Sequence, residues 1–157
     1  MKYGKTFEEF QELNGISIED VLSVFEAVSQ AFPMIVLANL SKNTYTMLKD
    51  DGFLAWEVPK VGCYDELIDY GVGNVHPNYQ NTFVSHFSRE KLIYQFERGK
   101  KEVYAKMYQK GRTSQYQWVS TRVIRVHDRD GDICEICINK VLEDVQQSGE
   151  RIGREYY

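Results

Sequence analysis

Apolar positions along this chain switch between helical and strand spacing, and the switches divide it into segments. Thr6-Phe7-Glu8-Glu9 reads as a T-x-x-E capping box, in which hydroxyl and carboxylate each satisfy an orphan backbone N–H. Phe7, Phe10 and Leu13 follow at helical spacing, and Asn14-Gly15 stops that helix. Ser17 opens a second helix, with Glu19 and Asp20 in the first turn where the helix dipole favours acids. Val21, Leu22, Phe25 and Val28 form its apolar stripe, and Pro33 ends it. Residues 34–40 and 43–49 predict two strands joined by a tight turn at Ser41-Lys42-Asn43, and Asp50-Asp51-Gly52 closes the second.

From 53 to about 98 the spacing predicts short helices. One covers 65–70. A second covers 78–87, with Tyr79, Phe83 and Phe87 on one face. A third is capped by Ser88, turns Leu92, Ile93 and Phe96 inward, and stops at Gly99. Gly71, Gly73 and Pro77 break the connections. Strands then return at 101–110, 115–127 and 132–141, with Val103, Ala105 and Met107 sharing one face of the first. Residues 111–114 join the first pair and 128–131 the second, where Asp130-Gly131 is a strong hairpin signal. The tail, 142–157, is charged and helix-permissive. This order predicts an α+β fold: a five-stranded antiparallel sheet in a 2+3 split, short helices on one face and an N-terminal helical cap.

Composition narrows the class. The 157 residues are 43% hydrophobic and 13% aromatic, enough for one folded domain with a core. A net charge of −4 argues against a general nucleic-acid binder, which needs a basic face. No apolar run approaches the ~18–20 residues of a membrane span, and the first residues lack the apolar centre of a secretory signal. Three cysteines, an odd number, point to a reducing, cytoplasmic setting.

The candidate chemistry is sparse. Cys134 and Cys137 stand in a C-x-x-C spacing, which can serve zinc, an iron–sulfur cluster or thiol–disulfide exchange. On a strand, however, residues three apart face opposite ways, no helix start follows Cys134, and no second cysteine pair completes a zinc site. Cys134 is read as a small core hydrophobe and Cys137 as sharing the other face with Ile133 and Glu135. His76, His86 and His127 fall in a loop, on a helix face and at a strand end, and are read as surface or turn residues. Asp50-Asp51, Asp65-Glu66 and Glu143-Asp144 are sequence neighbours that point apart, so they are solvated rather than catalytic pairs. No P-loop, G-x-S-x-G or dinucleotide fingerprint is present. Tyr104, Tyr108, Tyr116 and Trp118 flank the 111–114 turn, either packing across strands or lining a pocket.

The order of elements, with VHPNYQNTF (75–83), SREKLIYQFERGK (88–100) and the stretch 102–133 around Gln115-Tyr116-Gln117-Trp118-Val119, resembles the PAS sensory module. The resemblance covers roughly residues 20–142, preceded by a flanking segment at 1–19 and followed by the start of a linker helix at 143–157. It departs at Cys137-Ile138-Asn139-Lys140-Val141, where the family closes with Asp-Ile-Thr, and at Lys110-Gly111, where Asp-Gly is usual.

The resemblance implies a cytoplasmic sensor or interaction domain of a bacterial signalling protein such as a diguanylate cyclase or histidine kinase. It also implies a homodimer through N-terminal helices and a catalytic output domain outside this chain. Haem is disfavoured, because the 88–98 helix holds no histidine, and flavin chemistry because Cys63 lies in Val61-Gly62-Cys63-Tyr64 without the reactive-cysteine motif. No cofactor or metal is expected, and room remains for an unidentified small molecule, with Phe96, Tyr104, Met107 and Trp118 as its candidate contacts. Two alternatives stand beside this reading. One is a ligand-free dimerisation module. The other is a cone-shaped enzyme of the ketosteroid-isomerase type, which needs a buried acid with a raised pKa; Glu102 and Glu135 are the strand acids available.

Overall fold

β-branched and aromatic residues dominate the strand segments, and the structure, a computed structural model, pairs them into one antiparallel sheet. It describes residues 8–9, 12, 15–54, 57–111 and 115–142. The chain divides into two units, residues 1–31 and 32–157.

In the first unit, α1 (Ile18–Ser29) starts where the sequence places it. A complete capping box fixes its N-terminus: the Asp20 amide donates to Ser17 Oγ at 3.1 Å, and the Ser17 amide donates to Asp20 Oδ2 at 2.9 Å. No residue of α1 is buried, and Leu22, Phe25 and Val28 are 44–59% exposed. The capping box expected at Thr6, with Phe7, Phe10, Leu13 and Asn14, lies outside the described residues, as do the turn residues 112–114 and the tail 143–157.

In the second unit, β1 (Met34–Asn39) and β2 (Thr44–Asp50) form the first hairpin. Lys42 N–H donates to Asn39 Oδ1, and Asn43 takes the left-handed conformation that the tight turn requires. β3 (Val61–Cys63) follows, then α2 (Tyr64–Asn74), a 3₁₀ turn (Pro77–Tyr79), α3 (Gln80–Phe87) and α4 (Arg89–Glu97). β4 (Glu102–Lys110), β5 (Tyr116–Arg129) and β6 (Asp132–Val141) complete the sheet, whose order is β3-β2-β1-β6-β5-β4. The central β1–β6 pair therefore joins the two hairpin sets expected from the sequence. Asp130 and Gly131 make the β5–β6 turn, both with positive φ (51° and 82°) as a type I′ turn demands.

The sheet has six strands where five are expected. The extra one, β3, has three residues, too few for alternation to register in a sequence, and it pairs with Thr44–Thr46. Gly62 eases that pairing, since a Cβ there would stand 3.1 Å from the Tyr45 ring, a few tenths of an ångström inside ordinary contact. Helix boundaries also differ. α2 runs through Gly71 and Gly73, read as breakers, and the expected 78–87 helix divides into a 3₁₀ turn and α3. Ser88 occupies the N-cap position of α4, but its side chain makes no capping hydrogen bond.

The core lies between one sheet face and α2–α4. Met34, Val36 and Ala38, then Val103, Ala105 and Met107, then Val119 and Val123 meet Leu67, Phe83, Phe87, Leu92 and Phe96 there. Burying each such side chain contributes roughly 1.5–3 kcal/mol.

Candidate functional site

The C-x-x-C pair separates as strand geometry requires. β6 is a continuous strand paired on both sides through both cysteines, with Cys134 opposite Asn39 and Val126, and Cys137 opposite Val36 and Val123. Cys137 packs on the core, while Cys134 is buried on the other face, against Leu37 and Val126. The two sulfurs cannot converge on one ion without breaking the ladder. Burial pushes the Cys137 thiol up, further opposed by Glu135, so it stays neutral and poorly nucleophilic.

The histidines have local partners. His76 Nδ1 accepts from the Asn78 amide at 3.1 Å and caps the 3₁₀ turn, with its ring against Tyr108 and Tyr116. His86 Nδ1 lies 2.8 Å from the Thr82 carbonyl. His127 is exposed on β5. Asp50 Oδ1 accepts from the Phe53 amide, Asp51 pairs with Lys49, and Asp65 pairs with Arg89, so these carboxylates serve turns and surface contacts.

The four candidate contacts are split between the two sheet faces. Phe96 and Met107 are buried in the core. Tyr104 is 41% exposed on the opposite face beneath the Arg122 guanidinium, which also pairs with Glu102. Trp118 lies on that face as well, its ring 5.3 Å from Tyr108 and 5.6 Å from Tyr79. Stacked Tyr108 and Tyr116 extend this aromatic surface, so cross-strand packing accounts for the tyrosine-rich hairpin.

A different set of residues surrounds the interior space. A cavity of about 40 Å³ lies between sheet and helices, walled by Val36, Phe53, Leu67, Phe83, Phe87 and Val123. That is room for about three waters. Polar groups interrupt its apolar wall. Thr121 Oγ1 donates to Asn139 Oδ1 at 2.7 Å, and Asn139 Nδ2 lies 3.5 Å from Cys137 Sγ. Gln109 is buried, and its Oε1 has no hydrogen-bond partner. Gly71 completes the wall where α2 meets α3: a Cβ there would stand 2.7 Å from the Phe83 ring. Gln109, Thr121 and Asn139 are not among the candidate contacts expected from the sequence, although each continues the inward phase of its strand. A polar residue in an apolar phase was the available signal.

At one end of the core face sits Glu135, wholly buried, with no hydrogen-bond partner for either carboxyl oxygen. Burial pushes its carboxyl well above the ordinary range, so the neutral acid is the favoured form. Nearby, Tyr64 at the start of α2 donates to the Phe87 carbonyl at 2.9 Å, and burial together with Glu135 raises its phenol. Of the two acids weighed for catalysis, Glu102 is an exposed ion-pair partner and Glu135 is the buried one.

No family model matches the chain, and no curated protein matches it. Among solved structures it is similar to a sensory box histidine kinase/response regulator from Burkholderia thailandensis, with 12% identity and a TM-score of 0.53 over 82% of this chain and 92% of that one. It is also similar to the N-terminal domain of a diguanylate cyclase with PAS/PAC sensor from Marinobacter aquaeolei, with 16% identity and a TM-score of 0.48 over 69% and 94%. At 12% identity the likeness to the first is one of fold: an α+β domain with an antiparallel sheet and helices on one face. No described helix is long and apolar enough to cross a membrane.

Proposed function

We propose that this chain is a cytoplasmic sensory domain of a bacterial signal-transduction protein, regulatory rather than catalytic. The supporting observation is the cavity between sheet and helices, apolar but edged by the free acceptor of Gln109 and the Thr121–Asn139 pair. A small molecule with one hydrogen-bond donor and an apolar body matches the chemistry of that lining, and admitting it requires α3 and α4 to move outward from the 40 Å³ they now leave. Its uptake shifts the population of α3 and α4 packings on the sheet, and flanking helices carry the change to an output domain. The N-terminal helices supply the contact between two copies.

One observation favours the ligand-free dimerisation module instead: the interior is nearly filled by side chains, leaving about 40 Å³. The enzyme alternative draws on Glu135, whose raised carboxyl meets its requirement, but both oxygens are sealed from solvent and no substrate can reach them as the chain stands. Native mass spectrometry of freshly purified protein separates the readings. The sensor reading expects a dimer carrying an added small-molecule mass that a Gln109→Leu variant loses. A dimer without added mass, after incubation with cell extract, supports the dimerisation module and ends the sensor reading.

A further inference from the structure

Glu135 is unexplained by packing. A carboxyl with both oxygens buried and unpartnered is a costly group to keep in a core. Its ladder neighbours are Ala38 on β1 and Arg125 on β5. Directly opposed residues on an antiparallel ladder share a face, with Cβ atoms roughly 5 Å apart. An arginine opposite a buried glutamate is therefore placed to form an ion pair. Yet the Arg125 guanidinium points elsewhere. Its Nη1 donates to the Phe96 carbonyl at 2.8 Å, at the end of α4. Its Nε and Nη2 donate to Asp128 at 3.3 and 2.8 Å, within the irregular stretch of β5 between Val126 and Arg129.

The other groups around Glu135 leave it without a counter-charge. Tyr64 from α2 and Cys137 on its own strand are both acids whose ionisation Glu135 opposes. On the helix side, Arg89 of α4 is committed to Asp65 and the Leu40 carbonyl. β1 presents Ala38, with no charge. Among the described residues, Arg125 is the cation in register to answer a negative Glu135.

We propose that Glu135 is a proton-binding site and that Arg125 is the latch it controls. With the carboxyl neutral, Arg125 ties the end of α4 to the β5–β6 hairpin through the Phe96 carbonyl and Asp128. When the carboxyl gives its proton to a water admitted by a transient opening of the core, the buried carboxylate draws the guanidinium across the ladder. The Phe96 carbonyl and Asp128 are then released, and the α4–β4 junction loosens. This input is separate from the interior cavity and operates with or without a ligand there.

The test is an NMR titration of the whole wild-type chain, labelled to report glutamate Cδ and arginine side-chain nitrogens, with Glu135 assigned through its own backbone. The expected result is that Glu135 titrates above every other glutamate. The Arg125 side chain and the amides of Arg98 and Gly99 should shift with the same midpoint. In Arg125→Gln the carboxylate loses its cation, so the Glu135 midpoint should move higher. Titration of Glu135 together with the exposed glutamates overturns the site. An Arg125 signal that ignores the Glu135 midpoint, or a midpoint unmoved in Arg125→Gln, overturns the latch. The wild-type measurements stand even if that variant does not fold.

Discussion

Thr121 and Glu135 show how differently two polar side chains can sit in one core. Thr121 donates to Asn139 and is satisfied; Glu135 has no partner. Thr121→Val keeps the shape and leaves Asn139 Oδ1 buried without its donor, which costs about 1–3 kcal/mol. Urea unfolding should show this as a lower midpoint with an unchanged slope.

Glu135 makes a pH prediction. Its folded-state pKa is raised, so the folded chain holds the proton more tightly than the unfolded one. Its contribution is then intact below the unfolded value near 4.5 and is lost as pH rises from there through the raised folded value. Wild-type stability should fall with rising pH over that window. Glu135→Gln, always neutral, should lose that slope and be the more stable form at the upper end. Equal slopes in the two proteins would contradict the burial.

Elements with enough residues to repeat their pattern were legible in the sequence. The shared face of Val103, Ala105 and Met107 on β4, the β1–β2 and β5–β6 turns and the stripe of α1 all stand where spacing put them, although the spacing alone did not say which sheet face is inward. The misses came from long-range contact. Gly71 and Gly73 look like breakers, but α2 continues through them because the absent Cβ of Gly71 admits the Phe83 ring. No local signal says that a ring 12 positions later needs that space. The cavity was illegible for a related reason: it is what α2, α3 and four strands leave between them, and alternation did not say which face is inward, so the candidate residues fell on both faces of the sheet. The same logic gives an element-scale test. Gly71→Ala must displace Phe83 into the cavity wall, lowering the thermal midpoint and weakening any bound small molecule. Gly131→Val, in contrast, strains only the type I′ turn at φ 82°. It should cost about 1–2 kcal/mol and leave ligand binding unchanged in calorimetry.

At the scale of the whole molecule, the sensory role proposed above requires that the second unit's state reach something outside it, and α1 is equipped for outside contact. It is capped and amphipathic, carries Glu19, Asp20 and Glu26, and buries none of its residues. Ile18, Leu22 and Phe25 recur at i, i+4 and i+7, so their exposure leaves one continuous apolar face. A second copy meeting that face would remove it from water, which is the dimer contact proposed above. Phe25→Glu places a charge in the middle of the face and changes no residue of 32–157. Size-exclusion chromatography with light scattering should therefore show wild type as a dimer and the variant as a monomer, while the urea midpoint reported by tryptophan fluorescence stays the same. A variant that remains dimeric would move the contact away from α1, and one whose urea midpoint falls below that of wild type diluted to monomer would mean that Phe25 packs within its own chain.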